Sequence, residues 1–268
     1  MLKYRYMKII SLNIWCGQIY EPLIELVKKH AGKIDVFCFQ EVMTTKSDVI
    51  WSNKCRMNIF EEFSRALPNH NGYFSVTQDK VDLQGQVDFD SSFGLAMFSK
   101  KDLKVDKQGD VFVYRHKNAC VFEGEVQGAV TMGRNMQYVE IDINNKKYTI
   151  CNLHGLWNGK GKTDSDDRIS QSVNVKKFLD KIQGEKILCG DFNLAPDTES
   201  LKIIKEGMID LIEVYKIEST RSHLYRRYGK PGESFADYII LSPDIKVNDF
   251  KVLSDVAADH LPLYLDIL

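Results

Sequence analysis

The chain has almost no net charge, no cysteine pairs at metal-binding spacing, few prolines and no long apolar run. Each shortage narrows what it can be. Lys plus Arg total 36 against 37 Asp plus Glu, so the molecule projects no long-range field that would gather nucleic acid or an anionic membrane. An anionic partner has to be gripped locally. No stretch approaches the roughly 20 apolar residues of a membrane-spanning helix. The opening MLKYRYMKII lacks the apolar core and small-residue cleavage site of a signal peptide. The six cysteines (Cys16, Cys38, Cys55, Cys120, Cys151, Cys189) form no CxxC pair, and four lie in apolar strand-like runs. They are expected to be reduced core residues of a cytoplasmic protein rather than zinc ligands. With 6 prolines, no Pro/Gly/Ser-rich linker or repeat divides the 268 residues, so one domain over residues 1–268 is expected.

What is present alternates. MKIISLNIW reads as a strand, EPLIELVKKHAG as a helix with Gly32 as C-cap, and IDVFCFQEV as a buried strand, together a β-α-β unit. SDVIWSNKCRMNIFEEFSRAL has helical spacing with Ser47 as N-cap. NGYFSVTQ and SSFGLAMFSK read as strands, and MQYVEIDINNKKYTICNLHG as a hairpin turning near Asn144 and Asn145. DDRISQSVNVKKFLDKIQ is helical, EKILCGDFN is a buried strand running into a polar loop, and TESLKIIKEG is a short helix; FADYIILS, DIKVNDFKVL and PLYLDIL are strands. The pattern predicts an α/β fold with a largely antiparallel middle section.

The polar residues fall at strand ends. IISLNIW carries Asn13, VFCFQEV carries Glu41, YTICNLHG carries Asn152 and His154, KILCGDFN carries Asp191 and Asn193, and FADYIILS opens with Asp237. Asp259 and His260 precede the last strand. Singly, each has an ordinary explanation as a turn residue or a solvated strand end. Together they place costly-to-bury groups where a sheet can gather them on one rim.

At these residues the chain resembles the endonuclease/exonuclease/phosphatase superfamily of metal-dependent phosphoesterases. SLNIW, FQEV, NLHG, GDFN, FADYIILS and ADHLPL match its motifs in order, over roughly residues 7–268. The resemblance implies a four-layer sandwich of two packed sheets flanked by helices, with the site at one rim. It implies Mg²⁺, with Mn²⁺ as substitute, on Glu41 and Asp259. It casts Asp191 as the residue that orients the attacking water, with Asn193 assisting and Asn13 supporting the metal and phosphate side. His154 and His260 would donate to phosphoryl oxygens, His260 also moving a proton with Asp237 fixing its ring. Asn152 and Arg168 would bind phosphate, Gln171 sharing a helix face with Arg168. Ala258 stands where the family motif has Ser, and Phe235-Ala236 where an Arg is common.

The substrate is less specified. GLWNGKGKTD offers Trp157, Lys160 and Lys162 as a substrate-side loop. It fails as a phosphate-binding P-loop, because Leu156 stands where the first glycine is required. Arg221, Arg226, Arg227 and Lys230, interleaved with Tyr225 and Tyr228, suit phosphate and base contacts but also an ordinary basic loop. NLHG resembles deoxyribonuclease-, sphingomyelinase-, deadenylase- and phosphatase-type members rather than abasic-site endonucleases. The leading expectation is a nuclease or phosphodiesterase acting on DNA or RNA, as a monomer by default. The alternatives are a phosphomonoesterase, a phospholipid or inositol-phosphate phosphoesterase, and a noncatalytic binding protein.

Overall fold

The computed structural model describes residues 6–119, 121–122, 130–143 and 145–268. Cys120 and Asn144 of the expected hairpin turn lie outside them. The β-α-β opening is β1 (Met7–Asn13), α1 (Tyr20–His30) and β2 (Val36–Thr44), with β2 parallel to β1 and Asn13 opposite Gln40. Leu23, Leu26 and Val27 bury one face of α1, the spacing of a 3.6-residue period. The helix closes at Ala31 in right-handed conformation, and Gly32 is not among the positive-φ glycines, so the expected glycine cap is not used.

The segment read as one long helix from Ser47 divides. β3 (Trp51–Ser52) and β4 (Cys55–Arg56) form a hairpin, and α2 (Ile59–Ala66) starts only afterwards. Asn53 and Lys54 at the turn have φ of 45° and 70°, the left-handed pair that matches a two-residue hairpin to strand twist. That turn chemistry overrides the helical spacing, and Ser47 caps nothing.

Strands β5 (His70–Asp79), β6 (Ser92–Lys100), β7 (Val105–Tyr114), β8 (Val121–Phe122), β9 (Val130–Thr131), β10 (Arg134–Ile143) and β11 (Lys146–His154) follow. Then come α3 (Asp166–Leu179), β12 (Glu185–Asp191), α4 (Glu199–Lys205), β13 (Ile209–Asp210), α5 (Leu211–Val214), β14 (Asp237–Leu241), β15 (Val247–Val252) and β16 (Leu263–Ile267). Two six-stranded sheets result, ordered β15-β16-β1-β2-β6-β5 and β13-β14-β12-β11-β10-β7. β1–β2 and β11–β12 are parallel, and the other neighbours in both sheets run antiparallel.

Strand alternation sends Ile9, Val36, Cys38 and Met97 of the first sheet against Met136, Ile150, Cys189 and Ile239 of the second, one continuous apolar filling. The opposite face of the first sheet, with Ile10, Leu12, Phe37 and Phe98, packs on Leu23, Val27 and Phe63 of α1 and α2. Val175, Leu179, Leu201 and Ile204 of α3 and α4 join the second sheet's packing. The result is helix, sheet, sheet, helix. Cys16, Cys38, Cys55, Cys151 and Cys189 are all buried and free. Among the described residues no helix is long and apolar enough to cross a membrane.

Candidate active site

Register brings three of the expected residues into one row. In parallel β11 and β12, His154 lies opposite Asp191; in antiparallel β12 and β14, Asp191 lies opposite Asp237. A carboxylate or imidazole therefore ends each of three adjacent strands. The row depends on two glycines. A Cβ on Gly190, whose φ is 136°, would fall 2.0 Å from the Leu153 carbonyl oxygen, and one on Gly155 would fall 2.2 Å from that of Phe192. Neither position has space for a side chain.

The first sheet supplies the facing wall through an irregularity in β2. From Phe39 to Val42 this strand takes one residue more than β6 takes from Ala96 to Gly94, a bulge. Glu41 within it has φ of 57°, a conformation that costs about 1 kcal/mol for a residue with a Cβ. The bulge sends Gln40 inward and leaves Glu41 in the cleft. Asn13 Nδ2 donates to Glu41 Oε1 and to Asp191 Oδ2, both at 3.0 Å, while its Oδ1 accepts from the Trp15 amide. The backbone N–H of Asn193, at φ 55°, donates to Asp191 Oδ1 at 2.9 Å. Both Asp191 oxygens are thus fixed before any ligand arrives.

The two histidines are oriented differently. Arg134 Nη1 lies 3.2 Å from His154 Nδ1. A guanidinium only donates, so this nitrogen accepts and the proton sits on Nε2, which faces Glu41 Oε1 and Asp191 Oδ2 at 3.8 and 3.9 Å. Burial, then Arg134, hold His154 well below its ordinary pKa, so it is a neutral donor. His260 Nδ1 instead lies 2.8 Å from both oxygens of Asp237, and Thr220 Oγ1 steadies that carboxylate at 2.9 Å. Burial and Arg221 oppose charging of His260, but Asp237, Asp259 and Asp191 outweigh them and raise its pKa. In the neutral ring Nε2 accepts from Arg221 Nη1; protonation there releases Arg221 from this contact.

Burial alone would raise Asp191, yet His260, Lys162, His154 and Arg221 together hold it far below the carboxylate range. Glu41 is the opposite case, raised by burial and by Asp259 against the opposing bond from Asn13. One oxygen of Asp259, Oδ1, is buried without a hydrogen-bond partner, while Oδ2 accepts from Arg221 at 3.2 Å. An orphaned buried carboxylate oxygen beside a second carboxylate whose pKa is raised by burial and by that neighbour fits a hard divalent cation that would satisfy both. Asp191, Asp237 and His260 also bring one ligand atom each within 4.8 Å, but there Asp237 is already bonded to the His260 ring and Thr220.

The cleft is about 230 Å³, with Trp15, Phe93, Trp157 and Tyr225 among its walls around Glu41, Arg134, His154, Asp191, Asn193, Arg221, Asp259 and His260. Two residues expected to bind phosphate are elsewhere. Asn152, 0% exposed, spans the sheets: it accepts from Gln40 at 2.6 Å and donates to the Phe39 carbonyl, because it shares a side of β11 with His154 but stands two residues back from the strand end, where the first sheet covers it. Arg168, 1% exposed, donates to the carbonyls of Leu156, Gly161 and Thr163, and its guanidinium shapes a loop instead of meeting a ligand. Gln171 joins it, accepting from the Leu156 amide.

Of the basic stretch, only Arg221 and Tyr225 reach the cleft; Arg227 pairs with Glu233, and Arg226, Tyr228 and Lys230 are exposed. In the Trp157 loop, Lys160 is exposed, whereas Lys162 is buried with an ammonium lacking any hydrogen-bond partner. Arg134 was missed altogether, since a lone Arg opening a strand carries no local signal.

The chain matches the family model described as Endonuclease/Exonuclease/phosphatase family over residues 10–260. No curated protein sequence matches it. Among solved structures it is similar to a mannosyl-6-phosphatase of Bacteroides thetaiotaomicron VPI-5482, at 17% identity and TM-score 0.69, covering 98% of this chain and 99% of that one. A family protein from Leptotrichia buccalis C-1013-b gives 17% and 0.68, covering 98% and 99%. The human Nocturnin catalytic domain with bound sulfate gives 17% and 0.66, covering 100% and 94%. At such identities the likeness is one of fold. The match over residues 10–260 carries more: this chain belongs to the endonuclease/exonuclease/phosphatase family, whose members are hydrolases acting on phosphoesters.

Proposed function

We propose that the chain is a Mg²⁺-dependent phosphoesterase in which Asp191 orients a water for attack on phosphorus. The observation that carries this is the row His154, Asp191, Asp237 facing Glu41 and the orphaned oxygen of Asp259 across one cleft. Glu41 and Asp259 would hold the cation, with Mn²⁺ a substitute for Mg²⁺. Bound there, the ion would neutralise charge developing on the phosphoryl oxygens.

The remaining work falls to the protein's own groups. Asp191 stays ionised across the neutral range, and with both oxygens fixed by Asn13 and Asn193 it accepts from a water in one orientation only. His154, neutral with its proton on Nε2, donates to a nonbridging oxygen. His260 is kept readily protonated by Asp237 and its neighbouring carboxylates, so it has a proton to give at Nε2 while Asp237 holds Nδ1. Trp15, Phe93 and Trp157 exclude water from around the phosphate.

The neighbours' names include a mannosyl-6-phosphatase and a domain holding sulfate, in keeping with a site for a tetrahedral anion. Nucleic acid, favoured from the sequence, loses support because most of the basic stretch it relied on lies outside the cleft. The test is hydrolysis of p-nitrophenyl phosphate, bis-p-nitrophenyl phosphate, sugar phosphates and an oligonucleotide, with Mg²⁺ or Mn²⁺ and with chelator. Turnover that the chelator abolishes is expected on at least one. Protein folded by circular dichroism yet inert on all of them would overturn the reading.

A further inference from the structure

Three cationic side chains surround Asp191 and none of them is fully satisfied. Lys162 is 3% exposed, and its Nζ has no hydrogen-bond partner. The Nε atoms of Arg134 and Arg221 are likewise buried without partners. Arg134 approaches Asp191 through His154, Arg221 through His260, and Lys162 lies within Coulombic reach of both Asp191 and Arg221. The Tyr225 ring, a wall of the cleft, has the Arg221 guanidinium 4.1 Å from its centre and the Lys162 ammonium 5.8 Å away. Asp191 is not that partner: its hydrogen bonds come from Asn13 and Asn193, and the Lys162 ammonium donates to no group in the protein.

The ammonium is delivered on purpose-built backbone. Arg168, buried in α3, gives its donors to Leu156, Gly161 and Thr163. The Lys162 carbonyl accepts from Ala195 at 2.9 Å, tying the loop to the segment after Asn193. Asp191, Asp237 and Glu233 offset part of the burial of this ammonium beside Arg221, yet none of them accepts a hydrogen bond from it, so its desolvation is only partly compensated. A loop so firmly held in that position therefore points to an anionic ligand.

We infer that Lys162, Arg221 and Arg134 form a seat for the three terminal oxygens of a phosphate monoester, so that the substrate is a small phosphorylated alcohol and not an internal diester linkage. This rests on the phosphoesterase reading above. The reason is one of counting acceptors. A monoester presents three nonbridging oxygens and carries nearly two negative charges near neutral pH. A diester presents two oxygens and one charge, and its second ester group would leave one buried cation facing carbon, with its desolvation uncompensated. Trp15, Phe93 and Trp157 would then flank the alcohol.

The test uses phenylphosphonate, a dianion with three terminal oxygens that cannot be hydrolysed as a phosphoester, and its monomethyl ester, a monoanion with two. Each is titrated by calorimetry into the full chain with Mg²⁺, and into Lys162→Met and Lys162→Arg. Phenylphosphonate is expected to bind at least about tenfold more tightly than the methyl ester, the scale of one charge-assisted contact. Lys162→Met should weaken phenylphosphonate about tenfold and leave the ester unchanged, with Lys162→Arg retaining most of the preference. Equal binding of the two probes, binding of neither, or equal weakening of both in Lys162→Met would overturn the inference. Turnover separates the two levels: faster hydrolysis of bis-p-nitrophenyl phosphate than of p-nitrophenyl phosphate would remove the monoester assignment and leave a phosphoesterase, whereas chelator-insensitive inertness on every phosphoester removes both.

Discussion

Replacing Lys162 with methionine should make the protein more stable. The substitution keeps an unbranched stem of similar length and removes only the charge. Burial, with Arg221 adding to it, lowers the Lys162 pKa from 10.5 to about 8. Each tenfold change in acidity corresponds to about 1.4 kcal/mol, so the charged form is disfavoured in the fold by roughly 3 kcal/mol. Below about pH 8 the lysine is charged in folded and unfolded chains alike, and the whole cost is present. From about pH 8 to about 10.5 the folded chain loses its proton first, so wild-type stability rises through that window. Lys162→Met should therefore gain roughly 3 kcal/mol at neutral pH, and only about 1 kcal/mol near pH 9.5. At about 2 °C per kcal/mol for a chain of this size, the neutral-pH gain is a Tm increase of about 6 °C. Urea unfolding of both proteins at the two pH values measures it. No gain at neutral pH, or a gain that is the same at both, would refute the reasoning, because the ammonium would then have a partner in solution. The stabilised variant should at the same time be a poorer enzyme, as expected of a strained group kept for its ligand.

Other outcomes are specific to single residues. Asp237→Asn removes the main support of the His260 charge, so the alkaline fall in kcat should move to lower pH and kcat should drop about a hundredfold; an unchanged pH profile would disconnect the pair from proton transfer. Glu41→Gln should raise the Mg²⁺ concentration for half-maximal activity, and should also reduce the increase in Tm that Mg²⁺ produces in the wild type. Arg168→Ala orphans three carbonyls and should lower stability by roughly 3 kcal/mol, and it should raise KM more than it lowers kcat, because Arg168 acts through the Lys162 loop. Asn152→Leu removes the acceptor of the shortest Gln40 bond and the donor to the Phe39 and Ala96 carbonyls between the sheets, so urea denaturation should show a loss of about 2 kcal/mol, with kcat per folded molecule retained.

Strand-end chemistry was legible before any coordinates because it is local. Asp191 and Asp237 each sit where an apolar run meets a polar turn, and Gly155 and Gly190 mark the close approaches that align the row. Direction was not legible. Asn152 and His154 are two residues apart and turn to the same side of β11, yet only the second lies beyond the end of the sheet packing, where there is a cleft to face. Arg168 had the right face of α3 but the wrong destination, since nothing local says that the loop at 156–163 will fold back beneath it. The hairpin at Asn53 and Lys54 was hidden by a helical spacing that the turn overrode. Arg134 and Lys162 were invisible for a deeper reason: their importance lies in lacking partners, and that is a property of the assembled interior.

The bulge in β2 sets two adjacent residues to unrelated tasks. Gln40 latches one sheet to the other through Asn152, and Glu41 reaches into the cleft. Removing the extra residue would put β2 back into phase with β6 and leave one side chain where two now stand, so either the latch to Asn152 or the carboxylate in the cleft would be lost. The reading frame of a single strand thus couples the cohesion of the interior to the placement of a carboxylate in the cleft, and a single residue of backbone decides both.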